Sequence, residues 1–514
     1  MFQITQALRR AAQLRGTEPA VRFERRSWSY LEILDQVARL AGAFRKFGLQ
    51  DGDRIGVLSH NSDRYFSCYY AASWAGGVLL PLNYRLCEAE LSAVLVNAEP
   101  RILICDHNTR QLAKKVKNAV SGLILIDAGE GQTDIEHTFE DLLLTAPIAD
   151  RSGSDDDLAV LVYTGGTTGL PKGVMLSHTN IVANSLNTIP YLQLTERTLQ
   201  LHVGPLFHMG AGQRIYSVTQ AGGSHVFIPK FSAQAILDTV AQYKINSIVF
   251  VPTMMRRILQ TISPKSDALA SLKYVSYGAA PMPKELLLRF MRRFPHCHLS
   301  QSYGQTECSP VATALKHDDH FSSGAYGVKI GSVGRSVVLC DVAVHRADGT
   351  EANRGELGEI AVRGPNVMKG YWRNSQATEQ ALRNGWLYTG DLGRMDVDGF
   401  VWIVDRLKDM VITGGENVYS LEVEDVLMQH PAVSSCAVIG VPDQDLGERV
   451  HAVIVLSQEA VFEISSLIEF CRQHLAGYKI PRSFECREGA LPLTAANKID
   501  KKVLREQYSE ENHE

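Results

Sequence analysis

Short apolar runs bounded by turn residues recur along the first third of the chain, and amphipathic stretches of helical length alternate with them. The apolar runs occupy residues 54–58, 78–80, 101–104, 123–126 and 158–162. Amphipathic stretches at 30–47 and 283–294 are typical of helices that pack on a sheet. This alternation predicts an α/β fold of layered sheets and helices with largely parallel strands.

The longest uncharged run, residues 65–82, is close to the length of a membrane span. Serines, the Gly76-Gly77 pair and Pro81 interrupt it. It therefore predicts a buried helix, a glycine turn and a strand, and no integral membrane segment.

The pattern changes after about residue 330, where closely spaced strands are separated by Gly and Asp turns such as 348–349 and 398–399. A charged pentapeptide at 405–409 follows. The rest of the chain has its own pattern, with a helix-like stretch at 420–429 and strands at 433–439 and 450–456. We predict an N-terminal domain over residues 1–407, with a β-rich subdomain at about 330–407, and a small α+β domain over 408–514.

The composition is that of an ordinary globular protein of more than one domain, with 514 residues, 45% of them hydrophobic and 21% charged. The 52 Lys and Arg residues do not exceed the 56 Asp and Glu residues, so the basic excess that nucleic-acid binding requires is lacking. Nine scattered cysteines without a C-x-x-C pair, and no apolar segment after the N-terminal arginines, favour a cytoplasmic protein. A homo-oligomer stays open.

A segment rich in glycine and threonine, YTGGTTGLPKG at residues 163–173, follows the apolar run at 158–162. Its glycines let backbone N–H groups turn toward an anion, and its threonines and lysine add donors and charge, so it suits a polyphosphate. Pro171 and Gly173 flank Lys172, which excludes a Walker A loop, and a mobile turn is the alternative. The candidate phosphate-binding residues are Thr164, Gly165, Gly166, Thr167, Thr168, Gly169 and Lys172.

The same segment resembles the signature of the adenylate-forming superfamily, which contains acyl-CoA synthetases, luciferases and the adenylation domains of peptide synthetases. Further runs match that family in order: PLFHMG at 205–210, YGQTE at 303–307, YTGD at 388–391, DRLKDMVITGGENVYSLEVE at 405–424 and PLTAANKIDK at 492–501. The resemblance to acyl-CoA synthetases implies that ATP and a carboxylic acid form an acyl-adenylate, whose acyl group then passes to CoA. It also implies Mg²⁺ and a mobile C-terminal domain.

The resemblance assigns roles around the triphosphate and the adenine. Glu307 is implied as the metal-associated carboxylate, with Thr306 and Thr168 as hydroxyl partners of the phosphates. Mg²⁺ keeps few protein ligands, which agrees with the lack of a carboxylate cluster in the motifs. Tyr303 would lie against the adenine, because its flat amphipathic ring suits that contact. Gly304 follows it in the same motif and is implied in the same site.

Later motifs supply the implied ribose, hinge and acceptor residues. Asp391 would accept hydrogen bonds from the ribose hydroxyls, and Arg406 would assist at the ribose or phosphate. Lys408 is implied as the hinge of the C-terminal domain, whose rotation would bring Gly414 and Gly415 to the site where the CoA thiol enters.

Lys498, within PLTAANKIDK, is the implied catalytic lysine of adenylate formation. Two departures from the family pattern touch these assignments. Gly165 stands where Ser is commoner, and Asn497 replaces the usual Gly before Lys498. Asn tolerates positive φ better than other residues with a side chain, so the turn that presents the lysine can survive.

The acid pocket is implied to follow His208 and to include residues 277–282 and 301–304. A carboxylate needs no general base, so His208 is expected to orient the acid and to gate the pocket. An amino acid would need a buried anion, so we expect a fatty or aryl monocarboxylic acid instead. The overall resemblance to bacterial fatty-acyl-CoA synthetases implies a medium- or long-chain fatty acid, with an aryl acid as the alternative. The expected lining residues are small and apolar: Met209, Gly210, Ala211, Gly212, Gly278, Ala279 and Ala280.

Three other functions stay open from the sequence alone: a ligase that loads a carrier protein, a non-catalytic nucleotide-binding regulator, and a luciferase-like oxygenase. The regulator is disfavoured because Glu307, Asp391 and Lys498 are all present. The histidine-containing clusters at 296–298 and 317–320 are expected to be solvated faces and not metal sites.

Overall fold

The computed structural model describes residues 2–164, 171–324, 327–457, 463–494 and 499–510. The chain forms two compact units, one comprising Met1–Val342 and Val362–Leu387, the other Ala343–Ala361 and Tyr388–Glu514. Lys408 and its neighbours lie inside the second unit. The domain division at residue 407 stays a prediction.

Helices and strands alternate through most of the first unit, as the hydrophobic pattern predicts. The helices are α1 (Ile4–Arg15), α2 (Tyr30–Lys46), α3 (Asp63–Trp74), α4 (Glu88–Ala98), α5 (Arg110–Val116), α6 (Phe139–Leu143), α7 (His178–Leu192), α8 (Met209–Gln220), α9 (Ala233–Tyr243), α10 (Pro252–Thr261), α11 (Lys284–Arg293), α12 (Ser375–Ala381), α13 (Ser420–Leu427), α14 (Ile464–His474) and α15 (Lys501–Glu510).

The strands are β1 (Pro19–Phe23), β2 (Arg26–Ser29), β3 (Arg54–Leu58), β4 (Val78–Pro81), β5 (Pro100–Cys105), β6 (Ile124–Asp127), β7 (His137–Thr138), β8 (Leu158–Thr164), β9 (Lys172–Ser177), β10 (Leu199–His202), β11 (Ser224–Phe227), β12 (Ser247–Phe250), β13 (Tyr274–Gly278), β14 (His298–Tyr303), β15 (Thr313–Leu315), β16 (Ser323–Gly324), β17 (Gly327–Val328), β18 (Arg335–Ser336), β19 (Asp341–His345), β20 (Gly358–Arg363), β21 (Gly370–Tyr371), β22 (Leu382–Arg383), β23 (Trp386–Met395), β24 (Val401–Arg406), β25 (Val411–Thr413), β26 (Glu416–Val418), β27 (Val433–Asp443), β28 (Gly447–Leu456) and β29 (Ser483–Cys486).

One sheet of the first unit contains all five predicted apolar runs. Its strand order is β21-β9-β8-β4-β3-β5-β6-β7. The five runs are β3, β4, β5, β6 and β8, and they pair in parallel. β9 then runs antiparallel to β8, from the pair Leu158 and Ser177 to the pair Thr164 and Lys172. The predicted scaffold of parallel strands is confirmed, and the phosphate-binding segment begins at one end of it.

The second sheet of this unit positions the implied acid and adenine segments. Its order is β18-β15-β14-β13-β12-β10-β11-β1-β2. β13 and β14 are parallel neighbours, with Gly278 opposite Ser302. β15 is antiparallel to β14, with Thr313 opposite Tyr303. Two motifs that are distant in sequence therefore lie side by side at the carboxyl ends of adjacent strands.

One of the hydrophobic cores of the first unit joins its two sheets through their helices. Leu8, Phe44 and Phe66 of α1, α2 and α3 pack in it with side chains from both sheets. α2 starts where its sequence predicts, because Ser29 and Glu32 form a capping box there. The uncharged run 65–82 is realised as the rest of α3, a turn and β4, as predicted. No described helix is long and apolar enough to span a bilayer.

The second unit has its own core and a mixed sheet. β27 and β28 form a long antiparallel ribbon, with β25 and the parallel strand β29 also paired to β28. α13 packs on β27, and Val423, Leu427 and Val438 are buried in the core between them. The predicted helix and both predicted strands of this region are present. The fold class is confirmed as mixed α/β, with a larger N-terminal and a smaller C-terminal part.

Candidate active site

The phosphate-binding segment connects the paired ends of β8 and β9. Thr164 lies opposite Lys172, and the Thr164 hydroxyl donates to the Lys172 carbonyl at 3.4 Å. The antiparallel ladder therefore fixes both ends of the segment. Five of its predicted residues lie outside the described part of the chain: Gly165, Gly166, Thr167, Thr168 and Gly169.

Lys172 and Glu307 are joined by an aromatic residue that the motifs do not include. The Tyr371 hydroxyl donates a hydrogen bond of 2.9 Å to Oε1 of Glu307. Nζ of Lys172 lies 5.0 Å from the centroid of the Tyr371 ring, within cation–π range. Burial and the adjacent Glu307 carboxylate raise the pKa of Tyr371, so the phenol stays protonated as a donor. We call these three residues the Glu307 cluster.

The backbone around Glu307 is held by a glycine and by a short 3₁₀ turn. Gly304 has φ +155°, and a Cβ at this position would approach the Pro310 carbonyl oxygen to 2.2 Å. The chain then forms the turn Thr306–Cys308, in which Glu307 is only 8% exposed. The Met368 amide donates to the Glu307 carbonyl at 2.8 Å. Glycine at 304 is thus needed to bring this carboxylate to the end of β14.

The segment that follows β13 is strained. A Cβ on Gly278 would lie 2.4 Å from the Ser302 carbonyl oxygen, so a side chain is excluded there. Ala279 has φ +63°, a left-handed conformation that costs an alanine about 1–2 kcal/mol. Ala279 is exposed and Ala280 is partly exposed. Strain in an exposed segment beside β14 is typical of a functional site.

His208 occupies the N-cap position of α8, and its ring centroid lies 4.6 Å from that of Phe207. Two residues on, Gly210 is exposed, and a Cβ there would meet nothing within 4 Å. Gly212 differs, because its Cβ would lie 2.1 Å from the Tyr69 hydroxyl oxygen. The expectation that Gly212 lines the acid pocket is therefore wrong: this glycine allows α8 to pack closely against α3.

α8 also carries a buried cation that the sequence argument missed. Arg214 is 3% exposed. Its Nη2 donates to the Ser276 hydroxyl at 3.2 Å and to the Tyr191 hydroxyl at 3.4 Å. Burial and the Arg214 charge lower the pKa of His202 to about 3. One signal in the sequence was available, since Arg214 is the sole charged residue of α8.

The second unit brings together three predicted residues of the later motifs. Asp391 lies opposite Arg406 on β23 and β24, and Nε of Arg406 is 3.1 Å from Oδ1 of Asp391. Burial lowers the pKa of Lys408, against an opposing effect of Asp409. The ion pair with Arg406 thus fixes one oxygen of the Asp391 carboxylate, and the role of Asp391 at the ribose stays a prediction.

Gly414 and Gly415 form the turn between β25 and β26, with φ values of +58° and +85°. Positive φ at both positions explains why glycines occur in succession. A Cβ on Gly415 would meet no atom within 4 Å, so this turn is open on one side. Lys498 lies outside the described residues, and its assignment stays a prediction.

The two histidine-containing clusters, which the sequence predicts to be solvated faces, contact each other. His298 stacks on His317, with ring centroids 4.5 Å apart. His320 is buried, and its Nε2 lies 2.8 Å from the Tyr277 hydroxyl. The expectation of a solvated face is therefore wrong for His320, which packs beneath β13.

Comparisons with known proteins agree with this geometry. The family of AMP-binding enzymes matches residues 8–372, and the C-terminal domain of AMP-binding enzymes matches residues 422–498. A feruloyl-CoA synthase from an Amycolatopsis species is 36% identical over 97% of this chain and 98% of its own. A long-chain-fatty-acid–CoA ligase of Bacillus subtilis is 34% identical over 96% of this chain and 92% of its own.

A solved structure is similar over nearly the whole length. The O-succinylbenzoate coenzyme A synthetase of Bacillus subtilis, in complex with ATP and a magnesium ion, has a TM-score of 0.85 and 30% identity. The alignment covers 98% of this chain and 99% of that one. The chain therefore belongs to the AMP-binding enzymes of the adenylate-forming superfamily. Within that superfamily it is an AMP-forming acid–CoA ligase, which acts through an acyl-adenylate.

Proposed function

We propose that this ligase activates a hydrophobic carboxylic acid, with an aryl or arylalkenoic acid as the first candidate, and transfers the acyl group to CoA. The observation that carries the proposal is a pair of small, uncharged residues at the start of α8 and after β13. Gly210 and Ala279 are exposed there, and both have minimal side chains. A flat or extended acid with an apolar body fits an entrance bordered by these two residues.

The Glu307 cluster suits the adenylation half-reaction. A carboxylate that attacks the α-phosphate of ATP meets a second anion, so positive charge and positioning must lower the repulsion. Lys172 provides charge beside the phosphate-binding segment, and Tyr371 orients the Glu307 carboxylate through one of its two oxygens. A single buried carboxylate with a fixed orientation fits Mg²⁺, which takes one or two protein carboxylates together with substrate phosphates. The ion would neutralise part of the phosphate charge.

The acid class is supported by exclusion and by relatives. An α-ammonium group needs a buried anion, whereas the buried charge nearest to β13 and α8 is the cation Arg214. Amino acids are therefore disfavoured. The names of the feruloyl and succinylbenzoate enzymes support an aryl acid. A medium- or long-chain fatty acid is the second candidate, supported by the relative from Bacillus subtilis that acts on long-chain fatty acids.

The test is a panel of acids assayed for CoA-dependent AMP release and, separately, for pyrophosphate release without CoA. Ferulic, cinnamic and indoleacetic acids represent the first candidate, octanoic and palmitic acids the second, and phenylalanine is the negative control. Among these monocarboxylic acids we expect cinnamic-type acids to give the highest kcat/KM and phenylalanine to give none. Turnover confined to fatty acids would replace the first candidate by the second, and turnover confined to phenylalanine would overturn both.

A further inference from the structure

The charge on Arg214 is not compensated by the protein around it. Its Nε and Nη1 atoms are buried and have no hydrogen-bond partner among the residues that the structure describes. Its two contacts, the Ser276 and Tyr191 hydroxyls, are neutral and 3.2 and 3.4 Å away. Across the described ranges no carboxylate forms an ion pair with it. A guanidinium cannot lose its proton at physiological pH, so this site holds a permanent buried positive charge.

Arg214 lies between the two segments that border the proposed acid entrance. It follows Gly210 by four residues on α8, so the two positions share one face of the helix. Its partner Ser276 precedes Gly278 by two residues on β13, so both face the same side of the sheet. The cation is therefore placed beneath the entrance, one helical turn beyond its rim.

Two further polar side chains on α8 are buried and, like Arg214, have unpartnered polar atoms. Nε2 of Gln213 and Oγ of Ser217 also have no hydrogen-bond partner in the described part of the chain. Ser217 follows Arg214 by three residues and Gln213 by four, so it lies next to both on the helix surface. Buried polar groups are normally satisfied, and a cluster that is not is typical of a site that receives polar atoms of a ligand.

We propose that Arg214 binds a second carboxylate, at the end of the acid substrate remote from the carboxylate that is adenylated. The charge of the guanidinium matches a carboxylate, and its unpartnered Nη1 would donate a hydrogen bond to one of the carboxylate oxygens. The preferred substrate class is therefore a dicarboxylic acid with an apolar body. This inference rests on the proposed function, because it concerns the acid of the same ligase.

A purely structural role explains the observations less well. An arginine that only ties α7 and α8 to β13 would need no charge, and a neutral side chain would satisfy two hydroxyls. Arg110 shows how this fold treats a structural arginine: its Nη2 lies 2.6 Å from the buried carboxylate of Asp127. Arg214 has no such partner among the described side chains.

The test compares matched pairs of acids that differ only by the second carboxylate, 4-carboxycinnamic against cinnamic acid and adipic against hexanoic acid. The ratio of kcat/KM within each pair is measured for the wild-type enzyme, Arg214→Met, Arg214→Lys and the control Arg110→Met. We expect the wild type to prefer the dicarboxylic member. Arg214→Met should reduce the ratio about 100-fold, as removal of one partner of a buried charge pair does. Arg214→Lys should reduce it less, and Arg110→Met should leave it unchanged.

A binding measurement separates this inference from the proposed function. The melting temperature is recorded with increasing 4-carboxycinnamic acid, which requires no turnover and no CoA. We expect a dose-dependent rise for the wild type that Arg214→Lys diminishes. No rise in the wild type, or equal ratios in the wild type and both Arg214 variants, would overturn the inference, even where cinnamic acid is a substrate. Failure of every acid to release pyrophosphate while the rise persists would overturn the proposed function alone.

Discussion

Removal of the Tyr371 hydroxyl tests whether the Glu307 cluster organises the adenylation site. Tyr371→Phe keeps the ring beside Lys172 and deletes only the hydrogen bond of 2.9 Å to the Glu307 carboxylate. Because Glu307 is 8% exposed, water replaces the lost donor poorly. A hydrogen bond to a charged group contributes about 1.5–3 kcal/mol. Each 1.36 kcal/mol corresponds to a factor of about 10, so the loss amounts to roughly 10- to 100-fold.

This loss should fall on adenylation and on its dependence on Mg²⁺. We expect kcat/KM for ATP, measured by pyrophosphate release, to decrease about 10- to 100-fold, since the carboxylate is no longer held in one orientation. The Mg²⁺ concentration at half-maximal rate should rise. Acyl-CoA formation from supplied acyl-adenylate and CoA should change little, because that step makes no use of the triphosphate.

The control is Tyr243→Phe, which removes a hydroxyl that donates to the Glu24 carbonyl at 3.1 Å, away from the cluster. It should leave both half-reactions near the wild-type rate. A Tyr371→Phe enzyme whose ATP and Mg²⁺ dependences both stay within about twofold of wild type would refute the reasoning. The orientation of Glu307 would then not limit adenylation, whatever the distance between the Tyr371 hydroxyl and the Glu307 carboxylate.

Four further predictions concern Lys498, Lys408, Ala279 and His202. Lys498→Ala should lower pyrophosphate release about 100-fold and spare thioester formation from acyl-adenylate, because one electrostatic group is lost from the first step alone. Lys408→Pro should spare adenylation and lower thioester formation in the same two assays, since a fixed φ blocks hinge rotation. Ala279→Gly should raise the free energy of unfolding in urea by about 1 kcal/mol, because glycine adopts φ +63° without strain. His202 has a folded pKa of about 3, below its unfolded value, so its stabilising effect is complete above pH 6.5 and is lost as pH falls. The free energy of unfolding in urea should therefore decrease by ~2 kcal/mol between pH 7 and pH 5, and the decrease should be smaller in His202→Gln.

Local sequence signals predicted most elements of the fold because their causes are local. The five apolar runs became neighbouring strands of one sheet, and each was bounded by turn residues in the sequence. α2 begins at Tyr30 because the capping box that starts it lies within four residues. Gly414 and Gly415 occur in succession because both positions have a positive φ, which selects glycine, whereas their role at the thiol entrance stays a prediction.

Contacts between distant segments could not be predicted in this way. Tyr371 lies 64 positions from Glu307 and meets it because β21 pairs with β9. Arg214 was overlooked because its burial depends on the packing of α7 and β13 around α8. Gly212 was misread, since a small residue near a pocket motif has the same appearance in the sequence whether it faces a ligand or the Tyr69 side chain. Distinguishing these cases requires the positions of neighbouring elements.

The polar contacts of the second unit fall into two groups with respect to the predicted hinge at Lys408. Lys501, at the start of α15, forms an ion pair of 2.7 Å with Glu424, and both residues follow the hinge. A rotation about Lys408 would leave this pair intact. Asp405 precedes the hinge, is 1% exposed, and accepts a hydrogen bond of 3.1 Å from the Ser420 hydroxyl. That contact crosses the hinge, so the rotation must break it and provide the buried carboxylate with new donors.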